Sequence, residues 1–197
     1  MKPCDAEGIA REYLTGKRLE HSLSVARLAV SMGVALGLPA EDEDALYIAG
    51  VLHDIAKGLD GERQCELAER WHSENGLAPP SHNIALWHAP AAAWLIRHEI
   101  GAASSCEGFI SRIAFAVARH TTGGSGMMRF EECIYAADFL DPVRSFPEQQ
   151  AILPLLERDF DEALLAICRA TIESVLAKRQ FLDPASVAYH NELVGRS

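Results

Sequence analysis

The sequence predicts an all-α fold. Three observations carry this: apolar residues recur at i, i+3 and i+4 through most of the 197 residues, no stretch alternates as a half-buried strand would, and Gly and Pro punctuate the chain at helix-sized intervals. We read one helical domain over 1–197, because a chain of this length buries a core without disulfide or metal staples. With 49% hydrophobic and 23% charged residues, its composition is that of an ordinary globular protein.

From Arg18 to Leu36, Leu19, Leu23, Ala26 and Val30 share one face, and Gly37 with Pro39 stops that helix. Acids at 41–44 favour the positive end of the next helix, which carries Leu46, Ala49, Gly50 and Leu52 up to His53. The IAKG that follows reads as its end. A helix over Glu62–Ser73 precedes the break at Pro79 and Pro80. Pro90, just after His88, suits a first helical position, and Gly101 a C-terminal stop. Further helices are expected over Phe109–His120, Phe130–Leu140 and Phe160–Lys178, with a short one after Pro184. Residues 142–154, with three prolines, read as a long surface connection, and no helix is assigned before Arg18.

A net charge of −10 leaves no basic footprint, so a nucleic-acid partner is not expected. A polyphosphate could still bind where cations are focused locally. No run of ~18 apolar residues exists, and the first residues carry acids where a signal peptide needs an apolar core. The expectation is a cytoplasmic protein without a membrane partner. Five scattered cysteines, Cys4, Cys65, Cys106, Cys133 and Cys168, form no C-x-x-C. They argue against a disulfide framework or structural zinc, and most are expected to be small buried hydrophobes.

Several polar side chains fall on apolar faces. His21 lies four residues before Val25, His120 seven after Ile113, Asp138 four after Ile134, and His53 and Asp54 adjoin at the end of an apolar segment. Any one alone is an ordinary core histidine or cap. Burying all of them is costly unless they pair or hold a metal. Imidazole with carboxylate suits iron, manganese, cobalt, nickel or zinc. Neighbours on a helix diverge by about 100°, so His53 and Asp54 can share an ion only at a seam or where the helix ends. Lys57, Arg18 and Arg144 are cations within reach of a phosphate, though each is equally a solvated surface charge. The TTGGSGM stretch at 121–127 reads either as a tight turn or as backbone that approaches a ligand.

The H…HD…D order resembles the HD-domain metal phosphohydrolases. Within them, RLEHSLSVARLA (18–29), AGVLHDIAKG (49–58), WHAPAAAWLI (87–96), RHTTGGSGM (119–127) and EECIYAADFLDPVRSFPE (131–148) are similar to the YqeK-type symmetrical bis(5′-nucleosyl)-tetraphosphatases, with a weaker match over 161–191. Two departures are Ala89, where the family has Gly, and Asp141, where it has Glu. Residues 59–86 match poorly and receive no role.

The resemblance implies an HD-domain helical bundle with its motif core over 18–142, and C-terminal helices over 155–197 that complete a nucleotide pocket. It implies His21, His53, Asp54 and Asp138 as metal ligands. His88 and His120 would face the phosphates and aid the leaving diphosphate, or instead complete a second metal site. Asp54, Lys57, His88 and His120 would form the catalytic set. Arg18, Arg144 and Thr171 would join Lys57, His88 and His120 around the substrate. The implied cofactor is one or two divalent transition-metal ions, iron foremost. The implied reaction splits diadenosine tetraphosphate into two ADP, by a monomer or homodimer. Other HD-domain enzymes (nucleotidases, triphosphohydrolases, hydrolases of hyperphosphorylated guanine nucleotides) share H…HD…D but account less well for HTTG and ADFLDPVRSFP. A nucleotide sensor without turnover would not need the complete ligand set. His72, His82, His98 and His190 match no motif and read as surface or structural.

Overall fold

Apolar periodicity and acidic caps set the local structure. The computed structural model describes residues 1–80, 83–102 and 106–196, and among these the regular structure is all helix. In order come α1 (Pro3–Tyr13), α2 (Gly16–Ala35), α3 (Asp42–Leu52), α4 (Gly61–Glu74), α5 (His88–Leu95), α6 (Glu107–Arg119), α7 (Arg129–Leu140), α8 (Pro147–Leu156), α9 (Phe160–Ala177) and α10 (Pro184–Val194). A 3₁₀ turn over Ile55–Gly58 follows α3, another over Ile84–Leu86 leads into α5, and a π turn over Ile96–Ile100 ends it. Asp60, Asp159 and Asp183 cap α4, α9 and α10 by accepting from backbone N–H groups of the first turn.

The core is a four-helix cluster. α2 lies along α3 and α7, α3 also packs on α6 and α7, and α6 packs on α7. α4 and α5 pair on one side, with α5 against α6. α9 holds α8 and α10 on the other side and touches α7. The closest approach is between α2 and α3 at Gly50, where a Cβ would overlap the Ala26 backbone. Only glycine permits that contact, and it lies one turn before His53.

Two elements differ from the sequence reading. α1 is a helix with Pro3 in its first turn, burying Ala6 and Ala10 against α3. The supposed connection over 142–154 contains most of α8, which buries Gln149 and Ile152. In both, a proline (Pro3, Pro147) stands at the helix start, where its missing N–H has no intrahelical partner to lose, whereas in the sequence the prolines of 142–154 read as marking a connection. His88 is itself the first residue of α5, not a loop residue before it. Of the cysteines, only Cys133 and Cys168 are buried, so most are not core residues. Among the described residues, no helix is long and apolar enough to cross a membrane.

Candidate metal and phosphate site

Four elements of the core cluster end or turn at one place. His21 lies in the second turn of α2, His53 caps the C-terminus of α3, His120 caps that of α6, and Asp138 is on the last turn of α7. His88 enters from the start of α5. The chain leaves helical geometry at Asp54 (φ −106°, ψ 8°), so it no longer diverges from His53 as a helical neighbour would. Both reach the same cavity, with His53 Nε2 3.5 Å from Asp54 Oδ2.

The four rings are held alike. His53 Nδ1 donates to Gly50 O at 2.7 Å, His88 Nδ1 to Ala85 O at 2.8 Å, and His120 Nδ1 to Val117 O at 2.7 Å. His21 Nδ1 donates to the buried Asp141 Oδ2 at 2.6 Å. A carbonyl oxygen can only accept, so each proton sits on Nδ1 and Nε2 is turned inward. Backbone carbonyls and carboxylates orient metal-binding histidines in this way.

Asp54 stands at the centre. Its Oδ1 is 3.5 Å from both His88 Nε2 and His120 Nε2, and its Oδ2 is 2.8 Å from Lys57 Nζ. Asp138 Oδ1 is 2.9 Å from His21 Nε2, 3.5 Å from His53 Nε2 and 3.1 Å from an Arg144 nitrogen. Two overlapping donor groups result, His21–His53–Asp138 and His53–Asp54–His120, each with its ligand atoms within 4.8 Å of one another.

Within this cluster, His53 Nε2 and Asp54 Oδ1 are buried without a hydrogen-bond partner. The inward Nε2 atoms of His88 and His120 lie 3.2 Å apart, and Thr121 Oγ1 touches both, but its one hydroxyl proton can satisfy only one of them. Orphaned inward lone pairs beside two carboxylates fit a cation. The residues present therefore fit a divalent metal.

Without a metal, a proton on His53 takes the place of a cation between the two carboxylates. Burial disfavours charge on His53, but Asp54 and Asp138 outweigh it and push its pKa up to about 10. Burial would raise the Asp54 and Asp138 carboxyls, yet His53 beside Asp54 and His21 beside Asp138 hold both well below the usual range. Burial and the neighbouring His120 and Lys57 drive His88 down to about 3, and burial lowers His120. The lowered values favour neutral rings at His88 and His120, whose Nδ1 atoms face carbonyl oxygens. A bare Nε2 on each ring is the atom a second metal site would use, whereas aid to a leaving diphosphate would call for a proton there.

The remaining expected residues surround this centre. Arg18, Lys57, His88, Thr121, Asp138 and Arg144 line its mouth, a cavity of about 480 Å³, and Arg18 donates to Lys57 O at 2.9 Å. Thr171 lines a neighbouring pocket of about 270 Å³ with Tyr135, Phe139, Phe146 and Arg144, and its hydroxyl donates to Ile167 O. Gly123 (φ +67°) lies so close to Tyr189 of α10 that a Cβ would overlap the ring, and Gly126 N donates to Glu192. These glycines seat the 121–127 loop on α10.

His72 bonds Ala78 O, His98 bonds Glu74 at 2.7 Å and stacks on Trp94, and His190 contacts Asn191, all away from the cluster. His82 lies outside the described residues. In the sequence, Asp141 stood out only as a departure from the family's Glu, and Thr121 only within the TTGGSGM stretch, neither as a site residue. The signal for Asp141 was its acidic position ahead of Pro142. A hydroxyl such as Thr121 carries no comparable signal.

The HD domain family model matches residues 18–166. The chain is 30% identical to the symmetrical bis(5′-nucleosyl)-tetraphosphatase of Bacillus subtilis (strain 168), over 98% of each chain. It is 27% identical to the protein of the same name from Halalkalibacterium halodurans, over 94% of each. A crystal structure from Clostridium acetobutylicum, described as a predicted HD superfamily hydrolase involved in NAD metabolism, superposes with a TM-score of 0.81 at 28% identity, covering 98% of this chain and 96% of that one.

Proposed function

The chain belongs to the HD domain family, and from that premise we propose that it hydrolyses diadenosine tetraphosphate at the central bridge, releasing two ADP. The observation that carries the reading is the convergence of four inward Nε2 atoms on Asp54 and Asp138, with two buried atoms left unpartnered. The full-length relatives that carry the tetraphosphatase name support the substrate.

His21, His53, Asp54 and Asp138 would hold the metal, iron first among the candidates, with manganese, cobalt, nickel or zinc as alternatives. His88 and His120 would complete a second site across Asp54. Such an ion, when bound, lowers the pKa of water from about 15.7 toward about 7 and polarises a phosphoryl oxygen. Lys57, Arg144 and Arg18 would neutralise the phosphate chain at the mouth, a preorganised role that needs no proton transfer. The Thr171 pocket, completed by α9, would take a nucleoside against Phe139 and Phe146.

The test is Asp54→Ala. Metal content of the purified protein and turnover of diadenosine tetraphosphate should be lost together. A variant that keeps wild-type turnover refutes the assignment.

A further inference from the structure

We infer that a second cleft, which adjoins the Thr171 pocket at Thr121, is the seat of the other nucleoside of a dinucleoside polyphosphate. The inference rests on the reading of the central site as a tetraphosphatase and extends it to substrate selection.

The cleft has a volume of about 410 Å³. Trp71, Leu86, Trp87 and Phe115 supply its apolar and aromatic wall, and Thr122 and Ser125 a polar rim. An aromatic wall with a few polar groups is the surface a nucleobase and ribose require. Position argues further. Thr121 lines this cleft, the Thr171 pocket and the cationic mouth alike. His88 lines the mouth while its neighbours Trp87 and Ala89 line the cleft. The start of α5 therefore separates phosphate chemistry on one side from an aromatic surface on the other.

A substrate with a nucleoside at each end of its phosphates needs two such surfaces flanking the charged centre. The Thr171 pocket provides one and this cleft the other. Trp71, His72, Asn75, Leu77, Pro80 and Leu86 contribute to the wall.

The experiment compares diadenosine tetraphosphate with adenosine 5′-tetraphosphate. The latter offers the same phosphate bridge but one nucleoside, which can occupy the Thr171 pocket and leave the cleft empty. Trp87→Ala removes part of the wall. Ala118→Leu, on the α6 surface lining the cleft, fills it instead. Melting temperatures identify any variant that fails to fold, and the other then decides. The expected result is a fall of about tenfold in the ratio of kcat/KM for the dinucleotide over the mononucleotide, the order expected for one lost base stack. An unchanged ratio, an equal loss on both substrates, or a wild-type enzyme with no preference for the second nucleoside overturns the subsite. Wild-type enzyme inactive on both substrates instead overturns the tetraphosphatase reading, and the subsite with it.

Discussion

His21 Nδ1 donates to Asp141 Oδ2 across 2.6 Å, in a contact that joins residues 120 positions apart. The carboxylate is fully buried, and Gln149 Nε2 donates to the Asp141 carbonyl from α8. Asp141 thereby fixes which His21 nitrogen faces the cluster and at what angle. Its bond is to the outward-facing Nδ1 of His21, so it acts on the cluster through that ring and is a positioning residue.

Asp141→Asn keeps the shape and removes the charge behind His21. Metal affinity, read by titration of the metal-free protein, should weaken roughly 10- to 100-fold, as is usual when a partner behind a metal-binding histidine is lost. Unchanged affinity would show that His21 needs no such support.

Gly50 carries the close approach of α2 to α3 and presents its carbonyl to His53. In Gly50→Ala the added methyl meets the Ala26 backbone, which cannot rotate aside. Overpacking of this kind costs about 1–3 kcal/mol. Denaturant unfolding should show that loss, with weaker metal binding as His21 and His53 move apart. A variant as stable as wild type would mean the seam yields freely.

The metal-free protein should be most stable near pH 6.5, the ordinary histidine value. The folded-state pKa of His53 is raised to about 10, so its stabilisation is complete below 6.5 and is lost as pH rises toward 10. His88 and His120 are lowered, so the unfolded chain binds more protons in acid and stability falls below 6.5. The lowered pKa values of Asp54 and Asp138 deepen that acid loss. Added divalent metal should flatten the alkaline limb, since a cation replaces the His53 proton. Melting temperatures of chelator-treated protein that stay level from pH 6.5 to 10 would contradict this.

The helices that build the site were legible because each carries apolar residues on one face and a polar residue on that same face. His21, His53, His120 and Asp138 stood out for that reason. The adjacency of His53 and Asp54 pointed to a helix end, and Asp54 is where helical geometry stops. Asp141 was less legible, because an acid before proline reads as a turn whatever it contacts, and its partner is remote in sequence. α8 was hidden by prolines whose meaning depends on whether they start or interrupt a helix, and α1 was not read because no helix was assigned before Arg18. The 59–86 segment offered no motif, since a cleft wall needs only bulk and aromatic surface, which composition does not distinguish from core.

The most direct test is the identity of the products when metal-loaded protein acts on diadenosine tetraphosphate. Chromatography should show ADP as the only nucleotide product, formed at two per substrate. ATP and AMP in equal amounts would place the cut off centre and contradict the account.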